Sequence, residues 1–105
     1  MASKDKLFAQ IVACEDRPNL VGSTVSCIAV DVSAGGIRIR SYEYIPKGSQ
    51  LDLWVEIHSR PGKFFLTSDV RWVADKSDSH HSYQLGVALH EGAATDFEEW
   101  RQIHQ

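Results

Sequence analysis

Residues 25–40 place the tightest limit on how this chain can fold. Val25–Val30 and Ile37–Arg40, both rich in β-branched residues, flank Asp31-Val32-Ser33-Ala34-Gly35-Gly36, which carries an acid, a hydroxyl and two glycines. That is the pattern of a strand, a turn and a returning strand. Asp31 and Ser33 have short side chains able to accept hydrogen bonds from nearby backbone N–H groups, and Gly35 or Gly36 can take φ > 0 without steric cost. Past the turn, Gly36–Tyr42 alternates, with Ile37 and Ile39 on one face and Arg38 and Arg40 on the other. With the isoleucines turned inward, both arginines project outward together, either as a charge-protected face or, for Arg38 beside the glycines, as part of a site.

The same period of two recurs along the chain. Phe8–Glu15 is the predicted first strand, after a loose arm at residues 1–6 that holds Lys4 and Lys6; Asp16-Arg17-Pro18-Asn19 ends it, because proline donates no N–H and restricts the residue before it. Arg17 then reads as a solvated loop residue. In Leu51–Ile57 the odd positions form a core face, leaving Asp52, Trp54 and Glu56 on the other. Trp54 is then either docked under the C-terminal helix or part of a partner surface. A hairpin connection at Ser59–Gly62 leads into Lys63–Val73, where Phe64, Leu66, Ser68, Val70 and Trp72 share one face, and Phe65, Thr67, Asp69, Arg71 and Val73 the other. A run apolar on both faces suits a barrel strand partly covered outside, and on this pattern Trp72 is core filler.

Asp75–Ser82 is polar and reads as a loop. Tyr83, Leu85, Val87 and Leu89 alternate with Gln84, Gly86, Ala88 and His90, and the small Gly86 and Ala88 leave room for another element to approach, such as the helix that follows. Thr95-Asp96-Phe97-Glu98 has the spacing of a capping box, and Phe97, Trp100 and Ile103 or His104 recur at helical spacing over a short helix, about residues 95–104. Its narrow apolar stripe packs on its own domain or, alternatively, binds a partner.

At 105 residues the chain supports one domain. Hydrophobic residues at 43% and charged residues at 24% describe a soluble globular protein. No apolar run approaches the ~20 residues of a membrane span, and the N-terminus lacks the pattern of a secretory signal, so the expected location is cytoplasmic, without membrane insertion. A net charge of −3 argues against a nucleic-acid polymer as partner but leaves open a small anion held by a local cluster of cations. Cys14 and Cys27 are too few and too far apart for a Cys-x-x-Cys zinc site and read as buried free thiols. The adjacent His80 and His81 point in divergent directions with no third ligand evident, so no metal site is expected. No nucleophile elbow, recognisable carboxylate pair or phosphate-cradling loop before a helix is present, which argues against an enzyme.

The spacing Asp31-x-Ser33-x-x-Gly36, followed by Ile37-Arg38-Ile39, resembles the second signature of the PilZ domain, a small bacterial β-barrel that commonly binds cyclic di-GMP. Leu51–Ile57, Lys63–Val73 with its Arg71-Trp72 run, and the closing Leu85-Gly86-Val87 are similar to that family's later strands, so the resemblance covers roughly residues 7–92. It implies a mainly β fold, a six-stranded antiparallel barrel with a short C-terminal α-helix. It also implies a non-catalytic adaptor, without cofactor, that couples cyclic di-GMP to a protein partner in motility or biofilm regulation. The implied ligand-binding residues are Asp31 for a guanine edge, Ser33 for a phosphate or base, and Gly36 for close backbone approach. Trp72 would border the nucleotide, and Arg38 and Lys6 would act as cations. The family's Arg-x-x-x-Arg motif ahead of the first strand has no counterpart here. An ammonium does not replace a planar guanidinium, which binds phosphate or guanine with two parallel bonds. A barrel of the same kind that docks on a partner without binding cyclic di-GMP is the alternative.

Overall fold

Six segments of the chain alternate buried and exposed residues, and each is a strand. The computed structural model describes residues 5–57, 62–76, 82–92 and 95–104. The strands are β1 (Asp5–Ala13), β2 (Thr24–Val32), β3 (Gly36–Ser41), β4 (Gln50–Glu56), β5 (Phe64–Lys76) and β6 (Ser82–His90). A short 3-10 turn, Pro18–Leu20, lies between β1 and β2, and the helix α1 (Phe97–Ile103) follows β6. β1 begins and ends a little before the predicted Phe8–Glu15. β5 runs on to Lys76 and β6 starts at Ser82, so both ends of the predicted loop at Asp75–Ser82 are strand. The histidine pair and most of the Ser59–Gly62 connection lie outside the described residues.

Two antiparallel meanders, β1-β2-β3 and β4-β5-β6, join at both edges, because β1 pairs with β4 and β3 with β6. The result is a closed barrel in the order β1-β2-β3-β6-β5-β4. Closure pairs every strand on both sides and removes the free edges on which open sheets aggregate. Inside sit the alternate residues of each strand: Leu7, Ala9 and Ile11 from β1, Ile37 and Ile39 from β3, Leu51, Leu53 and Val55 from β4, Leu85 and Val87 from β6. Each large aliphatic side chain so buried contributes about 1.5–3 kcal/mol. Trp54, on the outer face, packs on Phe65 of β5 with ring centroids 5.2 Å apart.

The helix covers the end of β5. Trp100 is completely buried and meets Phe64 edge-on at 5.4 Å. The predicted capping box does not form, because its side chains are used elsewhere. Thr95 Oγ1 donates to the carbonyl of Gly92 (2.8 Å) and accepts only a long bond from the Phe97 N–H (3.4 Å), the Glu98 carboxylate pairs with Arg101, and Asp96, the residue before the first helical turn, makes no side-chain cap. Instead Asp96 Oδ2 accepts from the N–H of Phe65 (2.8 Å) while the Asp96 N–H donates to the Phe65 carbonyl (2.8 Å). This reciprocal pair bonds β5 as a neighbouring strand would.

Cys14 and Cys27 are both buried and unbridged. Burial pushes the Cys27 thiol up to about 11, opposed more weakly by a hydrogen bond with Ser41. Since the thiolate is the reactive form, Cys27 of the folded chain should resist Ellman's reagent at pH 8 and react fully in guanidinium chloride. Fast labelling of Cys27 in the native chain would contradict the burial described here.

Candidate functional site

The turn joining β2 to β3 is held from three directions. Within it, the Ser33 N–H donates to the Gly36 carbonyl (2.9 Å) and Ser33 Oγ donates to the same oxygen (3.1 Å). From β6, the Leu89 N–H donates to the Gly35 carbonyl (3.0 Å); from α1, Trp100 Nε1 donates to the Ser33 carbonyl (2.9 Å). Neither Gly35 nor Gly36 has positive φ, contrary to expectation. Gly36 is required for a different reason: a Cβ there would stand 2.9 Å from the backbone oxygen of Val87, so only glycine allows β3 and β6 to come together at this point. Ser33 acts as a donor here, which also departs from its expected acceptor role.

Two register shifts set what faces outward beside this turn. One lies in β2 between Ala29 and Asp31 and places Asp31 opposite Arg38, with Nη2 and Oδ2 3.6 Å apart and both side chains exposed. The other lies in β5: Val70 pairs with Val87 but Trp72 pairs with Gly86, leaving Arg71 as the extra residue. One inserted residue reverses the facing of everything after it. Val73 therefore turns in to pack against the core, and Trp72, predicted as core filler, turns out with 43% of its surface exposed. Its indole lies over Gly86, where any Cβ would fall inside the ring. The element that needs the small Gly86 is thus the neighbouring strand and not the helix. Arg71 Nε contacts Asp69 Oδ2 at 2.9 Å, and the other oxygen of Asp69 contacts His90 Nε2.

Asp31, Ser33, Gly36, Arg38, Arg71 and Trp72 line one concave surface of about 320 Å³, floored in part by Gly86. Five of these six are residues expected from sequence. Lys6 is not among those lining it. The strand alternation extends N-terminally past Leu7, so Lys6 belongs to β1 and not to a loose arm, exposed between Ile28 of β2 and Glu56 of β4. Arg71 was missed. The sequence carries no signal for it, because Trp72 continues the even apolar series past Arg71; only in the structure do the inward positions pass from even (Phe64, Leu66, Val70) to odd (Val73) across it.

A family model for the PilZ domain matches residues 9–103. The chain belongs to the PilZ domain family. PilZ domains are typically non-catalytic receptor or adaptor domains, and membership places the chain at family level among regulatory adaptors related to cyclic di-GMP. Among solved structures, the inhibitor of motility of Bacillus subtilis, MotI/DgrA, is similar with a TM-score of 0.67 at 17% identity. The likeness covers 99% of this chain and 46% of that one, so this chain spans less than half of that protein's length. At such identity the likeness concerns the fold alone, the six-stranded closed barrel with its C-terminal helix. No curated protein matches the sequence. Among the described residues no helix is long and apolar enough to cross a membrane, and no cluster of three or more potential metal ligands occurs.

Two glycine substitutions probe this PilZ surface. Gly36→Ala should destabilise the chain by about 1–3 kcal/mol in urea unfolding, because backbone and not a side chain must move to admit the methyl. Gly86→Ala should instead displace the Trp72 indole, which near-ultraviolet circular dichroism would register as a change in tryptophan signal with the barrel intact. Unchanged Trp72 packing in Gly86→Ala would disprove the described contact.

Proposed function

We propose that this PilZ domain is a cytoplasmic, non-catalytic cyclic di-GMP receptor that couples the nucleotide to a protein partner. The observation that carries the proposal is the grouping of one carboxylate, two guanidiniums and an open indole face around a single concavity. Each supplies a need of the ligand. A purine stacks on Trp72, worth about 1–3 kcal/mol per base in comparable sites. Asp31 accepts from guanine N1–H and the exocyclic amine, a charge-assisted pair. Arg38 and Arg71 face the phosphates, with Ser33 beside them. The Asp31–Arg38 ion pair is long and exposed, so exchanging it for ligand contacts costs little. At about 320 Å³ the concavity lies at the lower end of the ~300–1,000 Å³ of small-molecule sites, enough for one guanine and its phosphate.

The route outward is the hydrogen bond from Trp100 to Ser33. A ligand gripping the turn alters the carbonyl to which α1 is anchored, and thereby the face that α1 presents to a partner. Motility or biofilm machinery is the proposed output, the fold neighbour being an inhibitor of motility. A second reading, an adaptor that binds no nucleotide, is favoured by the carboxylates already beside both arginines.

Calorimetry with cyclic di-GMP decides between them. Micromolar binding is expected, weakened at least tenfold, about 1.4 kcal/mol, in Asp31→Ala and in Trp72→Ala. Arg71→Ala should both weaken binding and flatten its dependence on salt. Absence of heat in the intact chain would support the adaptor and overturn the receptor.

A further inference from the structure

A second concave surface lies at the other end of β3, sharing no lining residue with the first. It has a volume of about 430 Å³ and is bounded by the loop after β3 and the start of β2. Tyr42, Tyr44, Leu20 and Val25 form much of its wall, and among the described residues Glu43 is the one charged residue that lines it. We propose that this groove docks a segment of a protein partner through an arginine side chain.

The loop that presents the tyrosines is held in place. Ser41, fully buried, donates from Oγ to the Glu43 carbonyl (2.9 Å) and accepts from the Glu43 N–H (3.0 Å). Ile45 is buried completely, and Tyr44 meets Tyr83 edge-on with centroids 5.5 Å apart. Yet Tyr42 and Tyr44 are 57% and 41% exposed, the first making no ring contact among those described. Aromatic side chains held open on an ordered loop lose little freedom when a partner covers them, which is what a binding surface needs.

Charge selects the occupant. Tyrosine faces are electronegative, and they stand beside one carboxylate with no basic residue among the described lining residues, whereas the concavity at the signature turn carries two arginines. The two surfaces are therefore of opposite character. A guanidinium stacks on tyrosine and pairs with Glu43 through parallel hydrogen bonds, while its methylene stem lies along Leu20 and Val25. The volume exceeds what one such side chain fills, which favours a peptide segment over a free small cation.

The test uses the full, isotope-labelled chain in two-dimensional amide NMR, titrated with N-acetylarginine methylamide and with its neutral citrulline counterpart. Shifts confined to Ser23–Ser26 and Tyr42–Ile45, at least several-fold stronger for the arginine probe, are expected. Glu43→Gln, an exposed change that leaves the fold intact, should abolish the preference for arginine, and Tyr42→Ala should weaken both probes. Equal response to the two probes, no response at millimolar concentration, or shifts centred on Asp31 and Asp69 would overturn the proposal. So would self-association of the chain through these segments without a probe, since the occupant would then be a second copy. The readout is separate from cyclic di-GMP binding, so the two proposals fail independently.

Discussion

Strand side chains alternate strictly, and the only way to reverse their facing without leaving the sheet is to insert a residue. Besides a shift near the end of β1, between Ile11 and Ala13, this barrel has two such insertions, in β2 beyond Ala29 and in β5 beyond Val70. Both insertions lie level with the same turn. The first sets Asp31 opposite Arg38, and the second turns Trp72 out over Gly86 and places Arg71 beside it. Without the second, Trp72 would point into a core already filled by Val87 and Leu85, and the concavity would lose its aromatic wall.

The turn is tied just as firmly to the far end of the chain. A seven-residue helix cannot sustain itself in water, since helices shorter than ~12 residues are marginal even with favourable sequences. α1 persists because Trp100 is buried against Phe64 and because Asp96 bonds the free backbone groups of Phe65. The same tryptophan donates to Ser33. One side chain thus serves as core, as helix anchor and as a bond to the signature turn.

Two of the concavities of the PilZ barrel differ in charge, one with arginines and an indole, the other with tyrosines and a glutamate. They occupy opposite ends of β3, a strand only six residues long. The two linings share no residue. The inner face of β3 holds the strand in the core through Ile37 and Ile39, and its outer face is left for Arg38 and Arg40.

Six strands, the turn at Asp31–Gly36 and the C-terminal helix were legible in the residues, because alternation and turn chemistry are local and each strand buries one face. The grouping of Asp31, Ser33, Gly36 and Arg38 was legible for the same reason: they lie within eight consecutive positions. The contribution of Arg71, the outward facing of Trp72, the placement of Lys6 in β1 and the loss of the capping box depended on the tertiary structure. The deciding partners of Trp72 and Lys6 are distant in sequence, Gly86 for the first, Ile28 and Glu56 for the second, whereas Thr95 and Glu98 of the expected capping box bond Gly92 and Arg101 three residues away. Local pattern states which residues can share a face. Which face meets which neighbour depends on register between strands, and register is settled only when the sheet closes on itself.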